Sequence, residues 1–387
     1  MRIGWAIAAT AAAASIAIGG LGLVIARRLT APVVRRSYEL TIRGVDTSGE
    51  RPIVLLDRTP HTAAPGLYCL LLENGGLVRL SSEVENHGPE RIGREVLGTL
   101  DEGLRTGARA SWSGIYFSSP EDAGLEATDV DVQTDVGTAP AWLVTPPAGS
   151  SSTWAIHVHG LGSPRSGTLR GVQVANEAGL TSLVVSYRND GEGPTVGSGR
   201  STLGATEVDD VRAAVRYALA HRARHVILFG WSMGATIALQ LSAEPAFRGV
   251  VAGLVLESPV LNWGATISAN CTRSGLPAWA GALAAPWLDN WLLARVTGLG
   301  DSVKLRRFDW IARADELALP TLILHGSTDT STPISVSARL RDLRPDVVHL
   351  EKFDAGHTMT WNEAPARWRA TVMSSLEDEI RPSSGIG

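Results

Sequence analysis

Lysine is almost absent from this chain of 387 residues: Lys304 and Lys352 are the only two, and arginine supplies the rest of the positive charge. With the abundance of alanine, this reads as codon bias rather than function. The balance is acidic, with a net charge of -4 and a pI near 6.2, so the electrostatic footprint of a nucleic-acid binder is missing. Cysteine is as scarce. Cys69 and Cys271 are the only two and lie far apart in sequence, so one bridge is the most they allow, and two free, partly buried thiols are expected. Cysteine therefore does not set the compartment. The Gly-rich stretch "GEGPTVGSGRSTLG", 191–204, lacks the lysine and the spacing of a phosphate-binding loop, so nucleotide binding is not expected.

One charge-free run does stand out. "IGWAIAATAAAASIAIGGLGLVIA", Ile3 to Ala26, would span about 36 Å as a helix, enough to cross a bilayer. Arg27, Arg28, Arg35 and Arg36 follow it. Residues 1–27 are thus read as a transmembrane anchor, which the positive-inside rule orients with the body in the cytoplasm. A cleaved signal segment, placing the body outside, and a buried core helix are the alternatives.

From Tyr38 to Ser118 the pattern is β-like. "YELTIRG", "PIVLLDR", "GLYCLLLENGGLVRLSSEV", "RIGREVLGTL" and "SGIYF" read as strands of a small β-rich module, 38–118. The lone His61 and His87 read as surface residues. After the polar stretch 118–129 the rhythm changes. Apolar runs such as "STWAIHVHG", "TSLVVSYRND", "HVILFGWS", "AGLVLESPV" and "TLILHGSTD" alternate with helical stretches. That alternation predicts a mostly parallel sheet with helices on both faces, over 119–380. A segment of about 260–312, rich in tryptophan (Trp263, Trp279, Trp287, Trp291, Trp310), reads as a helical insertion that forms a lid. Its aromatic residues suggest an apolar substrate group, though they also suit plain packing.

Gly230-Trp231-Ser232-Met233-Gly234 lies where an apolar strand gives way to an Ala-rich helix. A sharp strand-to-helix turn between small residues presents a serine side chain at a helix N-terminus, which suits a nucleophile. A serine hydroxyl needs a base, and the base needs an acid to fix its tautomer. His357, before the last helix, and Asp329, after the preceding strand, are the candidates, with Glu257 as the alternative acid. An oxyanion needs two preorganised donors, for which the backbone N–H groups of Met233 and of Leu161 in "HVHGLGSP" are placed. His157 and His159, two apart on one strand, raise a metal reading, but no further ligands accompany them, and His159 is expected to support the loop. Arg188 and Asp190 either hold a polar substrate group or form a structural pair.

The set His159-Gly160-Leu161-Gly162, Gly230-Trp231-Ser232-Met233-Gly234, Asp329 and His357 resembles the α/β-hydrolase superfamily over roughly 120–380. Within it the chain resembles the prolyl-oligopeptidase-like and serine-aminopeptidase-like (monoacylglycerol-lipase-like) branches, and "YRND" with "GHTMTWN" is similar to actinobacterial members. The resemblance implies an eight-stranded, mostly parallel sheet and acyl transfer to water through an acyl-serine. The expected activity is hydrolysis of a carboxylic ester with an apolar acyl group, in a small-molecule substrate, with peptide, amide or thioester cleavage by the same triad as the alternative. A non-catalytic binding protein on this scaffold is disfavoured by the intact triad. No metal or organic cofactor is expected. The β-rich module lies outside the shared fold and is too short for the large propeller of true prolyl oligopeptidases.

Overall fold

Residues 18–33, 36–98 and 100–380 are described in a computed structural model of the chain. The first described element, helix α1 (18–29), begins inside the charge-free run. Its apolar side chains meet protein. Ala26 is fully buried in the main core, and Leu21, Ile25 and Leu29 pack against the same cluster. A Cβ on Gly22 would come within 2.2 Å of the Leu283 carbonyl oxygen, so helix and insertion touch backbone to backbone. Arg200 donates to the Arg27 carbonyl at 2.7 Å and fixes the helix end. Among the described residues no helix is long and apolar enough to cross a membrane. Residues 3–17 of the expected span lie outside the described residues. The part from 18 to 26 packs against the body through Leu21, Ile25 and Ala26.

The β-rich module is one antiparallel sheet. Its strands are β1 (Leu40–Thr41), β2 (Gly44–Asp46), β3 (Ile53–Asp57), β4 (Tyr68–Leu72), β5 (Leu77–Leu80), β6 (Glu85–Asn86), β7 (Arg91–Leu97) and β8 (Arg109–Ser113). They run in the order β1-β8-β4-β5-β7-β3-β2, with β6 paired to β7. Val54, Leu56, Leu70, Leu72, Leu80, Ile92 and Val96 fill its core. "YELTIRG" is not one strand, because its partners change. Ile42 N–H bonds to Ala108 while Arg43 N–H bonds to Leu55. "SGIYF" is not a strand either, since the chain leaves the sheet after Ser113 and crosses onto the body. Arg94 is completely buried. Its guanidinium donates to the carbonyls of Thr62, Ala64, Gly66 and Ser81 at 2.6–3.2 Å. Burial lowers its pKa to about 10, which leaves it charged at neutral pH. One cation thereby gathers the loop that meets the body.

The second sheet has eight strands: β9 (Ala127–Thr134), β10 (Gly137–Val144), β11 (Thr153–Val158), β12 (Thr181–Val185), β13 (His225–Trp231), β14 (Val251–Glu257), β15 (Thr321–Gly326) and β16 (Val348–Phe353). Their order is β16-β15-β14-β13-β11-β12-β10-β9. β9 and β10 form an antiparallel hairpin, β10 is antiparallel to β12, and the rest are parallel. Helices on both faces explain why the central strands read as unbroken apolar runs. Trp154, Ile156 and Val158 face one core with α3 (Glu207–Ala220) and α4 (Met233–Ser242). Ala155, Ile227 and Phe229 face the other with α2 (Leu169–Glu177) and α10 (Pro365–Ser375). The insertion between β14 and β15 holds α5 (Trp263–Arg273), α6 (Ala285–Asp289) and α7 (Trp291–Thr297). α8 (Ile334–Leu343) follows β15, and α9 (Thr360–Glu363) precedes α10.

Candidate active site

The sharp turn at Ser232 is forced by its surroundings. Ser232 has φ 52° and ψ −112°, a region that L side chains avoid. Such a residue typically costs about 1–3 kcal/mol and persists only where the fold over-determines it. The flanking glycines are required sterically. A Cβ on Gly230 would sit 2.6 Å from the Ala235 Cα, and one on Gly234 would sit 2.1 Å from the Val158 carbonyl oxygen. α4 therefore starts directly against β11, and the serine stands off the sheet edge.

Three of the candidates meet there. Ser232 Oγ lies 3.0 Å from His357 Nε2, and His357 Nδ1 lies 2.8 Å from Asp329 Oδ2. With the ring proton on Nδ1, His357 donates to the carboxylate and accepts from the serine hydroxyl. The Asp329 side chain is fully buried, whereas that of His357 is 27% exposed and reaches the cavity. Asp329 Oδ1 accepts from the N–H groups of Ser331 and Thr332 at 2.8 and 2.9 Å. Burial by itself would raise the Asp329 pKa. Hydrogen bonds from His325, His357 and Thr332, with the charge of His357, outweigh it and hold the carboxyl well below the usual range.

Two partners escaped the reading of the sequence. Thr332 Oγ1 donates to Asp329 Oδ2 at 2.7 Å and lies 3.2 Å from His357 Nδ1. His325 Nε2 is 3.4 Å from the same carboxylate oxygen. The available signal was a hydroxyl three residues after an aspartate, a turn-type spacing.

Glu257 has other work. It accepts from Trp231 Nε1 at 2.8 Å and from the Thr360 N–H at 3.2 Å, and it lies 3.3 Å from Arg170 Nη2. Arg170 in turn donates to the carbonyl of Thr358, next to His357, at 2.8 Å. The alternative acid thus braces the histidine loop from below.

The N–H groups of Met233 and Leu161 donate to no protein acceptor among the described residues. Leu161 and Ser232 line the same cavity, of about 250 Å³. The loop that carries Leu161 is tied down at Gly160. His159 Nδ1 lies 2.9 Å from the Gly160 carbonyl oxygen, and Tyr187 Oη donates to the same oxygen at 3.1 Å. The His159 ring stacks on Tyr187 and contacts Asp190 Oδ2 at 3.0 Å. Arg188 pairs with Asp210 and Asp135 instead, so Arg188 and Asp190 serve structure and not each other. His157 lies 3.0 Å from Ser182 Oγ and is fully buried, which lowers its pKa to about 3. Among the described residues, no group of three or more His, Cys, Asp or Glu side chains is placed to hold a metal ion.

The roof of the cavity differs from the expected lid. Arg36, Trp112 and Ile115 line it, all outside the parallel-sheet body. None of the five insertion tryptophans does. Trp263 and Trp310 are buried in the core, Trp287 packs against it, and Trp279 and Trp291 are exposed. The module is held by Asn362, five residues after His357. Asn362 Nδ2 donates to the carbonyls of Leu67 and Gly114 at 2.6 and 2.9 Å. Its own backbone carbonyl accepts from Leu67 N–H at 2.8 Å.

Comparison with solved structures finds the same fold. The esterase Pf2001 of Pyrococcus furiosus is similar at 21% identity and a TM-score of 0.53, over 68% of this chain and 96% of that one. A second crystal form of it gives 20% identity and a TM-score of 0.52, over 68% and 94%. An esterase from Thermogutta terrifontis is 20% identical at a TM-score of 0.45, over 65% and 98%. No curated relative matches the chain. A domain of unknown function (DUF8805) matches residues 41–113, which is the β-rich module. The model of the alpha/beta hydrolase family matches residues 155–377, more than half of the chain. That stretch contains Ser232, Asp329, His357 and the Leu161 loop together, and the chain belongs to the alpha/beta hydrolase family.

Proposed function

We propose that the protein is a serine hydrolase that cleaves a small carboxylic ester through an acyl-serine intermediate. The observation that carries the reading is the unbroken relay Ser232 Oγ, His357 Nε2, His357 Nδ1, Asp329 Oδ2, with links of 3.0 and 2.8 Å. In this reading His357 takes the Ser232 proton as the hydroxyl attacks the carbonyl, and returns it to the leaving alcohol. Asp329, held ionised, orients His357 and stabilises its charged form. The free N–H groups of Met233 and Leu161 supply the oxyanion donors. Water then attacks the acyl-serine by the same proton route in reverse. A cavity of about 250 Å³, lined in part by Trp112, Ile115, Leu161 and Met359, suits a short acyl group. The uncharged run from Ile3 to Ala26, followed by Arg27 and Arg28, supports tethering to a membrane, with the hydrolase on the cytoplasmic, arginine-flanked side. An active periplasmic reporter fused after residue 40 would overturn that side.

The test is labelling with a fluorophosphonate, alongside turnover of p-nitrophenyl esters of graded length and of aminoacyl anilides. Labelling that vanishes in Ser232→Ala, with turnover of esters and not of anilides, is expected. Folded protein that takes no label sinks the hydrolase reading, and turnover of anilides alone moves it to a peptidase.

A further inference from the structure

The cavity shared by Ser232 and His357 has an unbalanced lining. It contains Arg36 and Arg170, and no aspartate or glutamate. Arg170 is neutralised, because Glu257 lies 3.3 Å away. Arg36 forms no ion pair among the described residues. Arg36 is exposed and lines this cavity, so its guanidinium is open to a ligand that enters. A guanidinium that lines a binding cavity and has no counter-charge there is a ready partner for an anion.

A second observation points the same way. The groove between α1 and α5, about 350 Å³, shares Leu161 with the catalytic cavity. It brings Arg28 and Arg273, again without a carboxylate. Neither forms an ion pair among the described residues, and Arg273 donates only to Asn270 Oδ1, at 2.6 Å. The protein as a whole carries a net charge of -4. Positive charge in two adjoining cavities of an acidic protein draws anions toward them. Arg36 precedes the family match, which begins at residue 155, so the shared hydrolase chemistry does not account for it.

We propose that Arg36 binds an anionic group, a carboxylate or a phosphate, on the ester that Ser232 attacks, so that charged esters are selected over neutral ones of the same shape. The proposal rests on the serine-hydrolase reading. A guanidinium offers two parallel donors to either anion, which fixes the charged end and with it the carbonyl.

The experiment uses the full chain and matched pairs of esters. 4-Nitrophenyl hemisuccinate and 4-nitrophenyl butyrate differ by charge on the acyl side. 4-Carboxyphenyl butyrate and phenyl butyrate differ by charge on the alcohol side. At least one charged member is expected to have a kcat/KM about tenfold above its neutral partner, as one charge-assisted hydrogen bond supplies. Arg36→Gln is expected to bring that ratio near one, chiefly through KM, and Arg36→Lys to restore part of it. Added salt is expected to shrink the ratio in the native protein. Protection of Ser232 from fluorophosphonate by succinate or by phenyl phosphate separates the two anions. A ratio near one in the native protein, or one that Arg36→Gln leaves intact, overturns the proposal. Loss of labelling at Ser232 overturns the hydrolase reading instead.

Discussion

Replacing Asp329 by asparagine tests the relay more sharply than deleting it, because the surroundings dictate how the amide must sit. Asp329 Oδ1 accepts two backbone N–H groups, from Ser331 and Thr332, at 2.8 and 2.9 Å. An asparagine therefore places its carbonyl oxygen there and turns its NH₂ toward His357. His357 Nδ1, 2.8 Å from Oδ2 in the native protein, must then accept and not donate. The ring proton moves to Nε2, which can no longer accept from Ser232 Oγ. A histidine held in the wrong tautomer costs about 10³–10⁴ in kcat, or roughly 4–5.5 kcal/mol at 1.36 kcal/mol per decade. KM should move little, since Asp329 is buried away from the cavity. The same variant alters the pH dependence of stability. The native carboxyl has a lowered pKa, so its contribution is present above the unfolded value and lost as pH falls through the folded one. Asp329→Asn should flatten that part of the acid limb. Glu257→Gln is the counterpart. It leaves buried Arg170 without its counter-charge, so it should lower stability by about 3 kcal/mol and keep most of kcat. Ester turnover and urea unfolding measure both effects. If Asp329→Asn stays within tenfold of native kcat while Glu257→Gln loses a thousandfold, the acid is misassigned and the tautomer argument fails.

Asn362→Ala removes the donors to the Leu67 and Gly114 carbonyls and should cost about 2–4 kcal/mol, with an early urea transition in Trp112 fluorescence as the module detaches. An unchanged urea midpoint would refute the clasp. His157, with a pKa near 3 in the fold, favours the unfolded chain as pH drops below the ordinary histidine value. Between pH 6.5 and 4.5 this amounts to about 2 kcal/mol, which His157→Gln should not lose; parallel pH curves for the two proteins would contradict the burial argument. Gly22→Ala would place a Cβ 2.2 Å from the Leu283 carbonyl oxygen, so α1 should lift from the insertion and exchange its amide hydrogens faster. Native exchange rates in residues 18–29 would show that the contact is not tight.

Much of the site was legible because its signals are local. A serine between glycines, bounded by two apolar runs, forces one turn geometry whatever the rest of the chain does. The chain order of Ser232, Asp329 and His357 follows from the parallel strands β13, β15 and β16 ending at one edge. What was not legible depends on distance or direction. Asn362 bonds to residues 295 and 248 positions away, and a single asparagine in a short helix carries no mark of that. The tryptophans of the insertion advertised apolar surface without saying which way it turned. The charge-free run before Arg27 fits a bilayer and a protein core equally well, since both are apolar, and the sequence does not show that its described part, α1, packs against the body. Thr332 stayed hidden because a threonine after an aspartate is ordinary turn chemistry.

The roof above Ser232 comes from the chain's entry into the β-rich module, at Arg36, and from its exit, at Trp112 and Ile115. Ser232, Asp329 and His357 all come from the body, more than a hundred residues later. On the proposed function, how a bond is broken and which molecule is admitted are written on separate stretches of one gene product. A change in the module can retune the second without disturbing the first, and exchange of the whole 36–115 segment between relatives is a route to new selectivity with the bond-breaking machinery inherited intact. The Asn362 clasp sets the condition for such an exchange, because a grafted module must still offer two backbone carbonyls where Leu67 and Gly114 now stand.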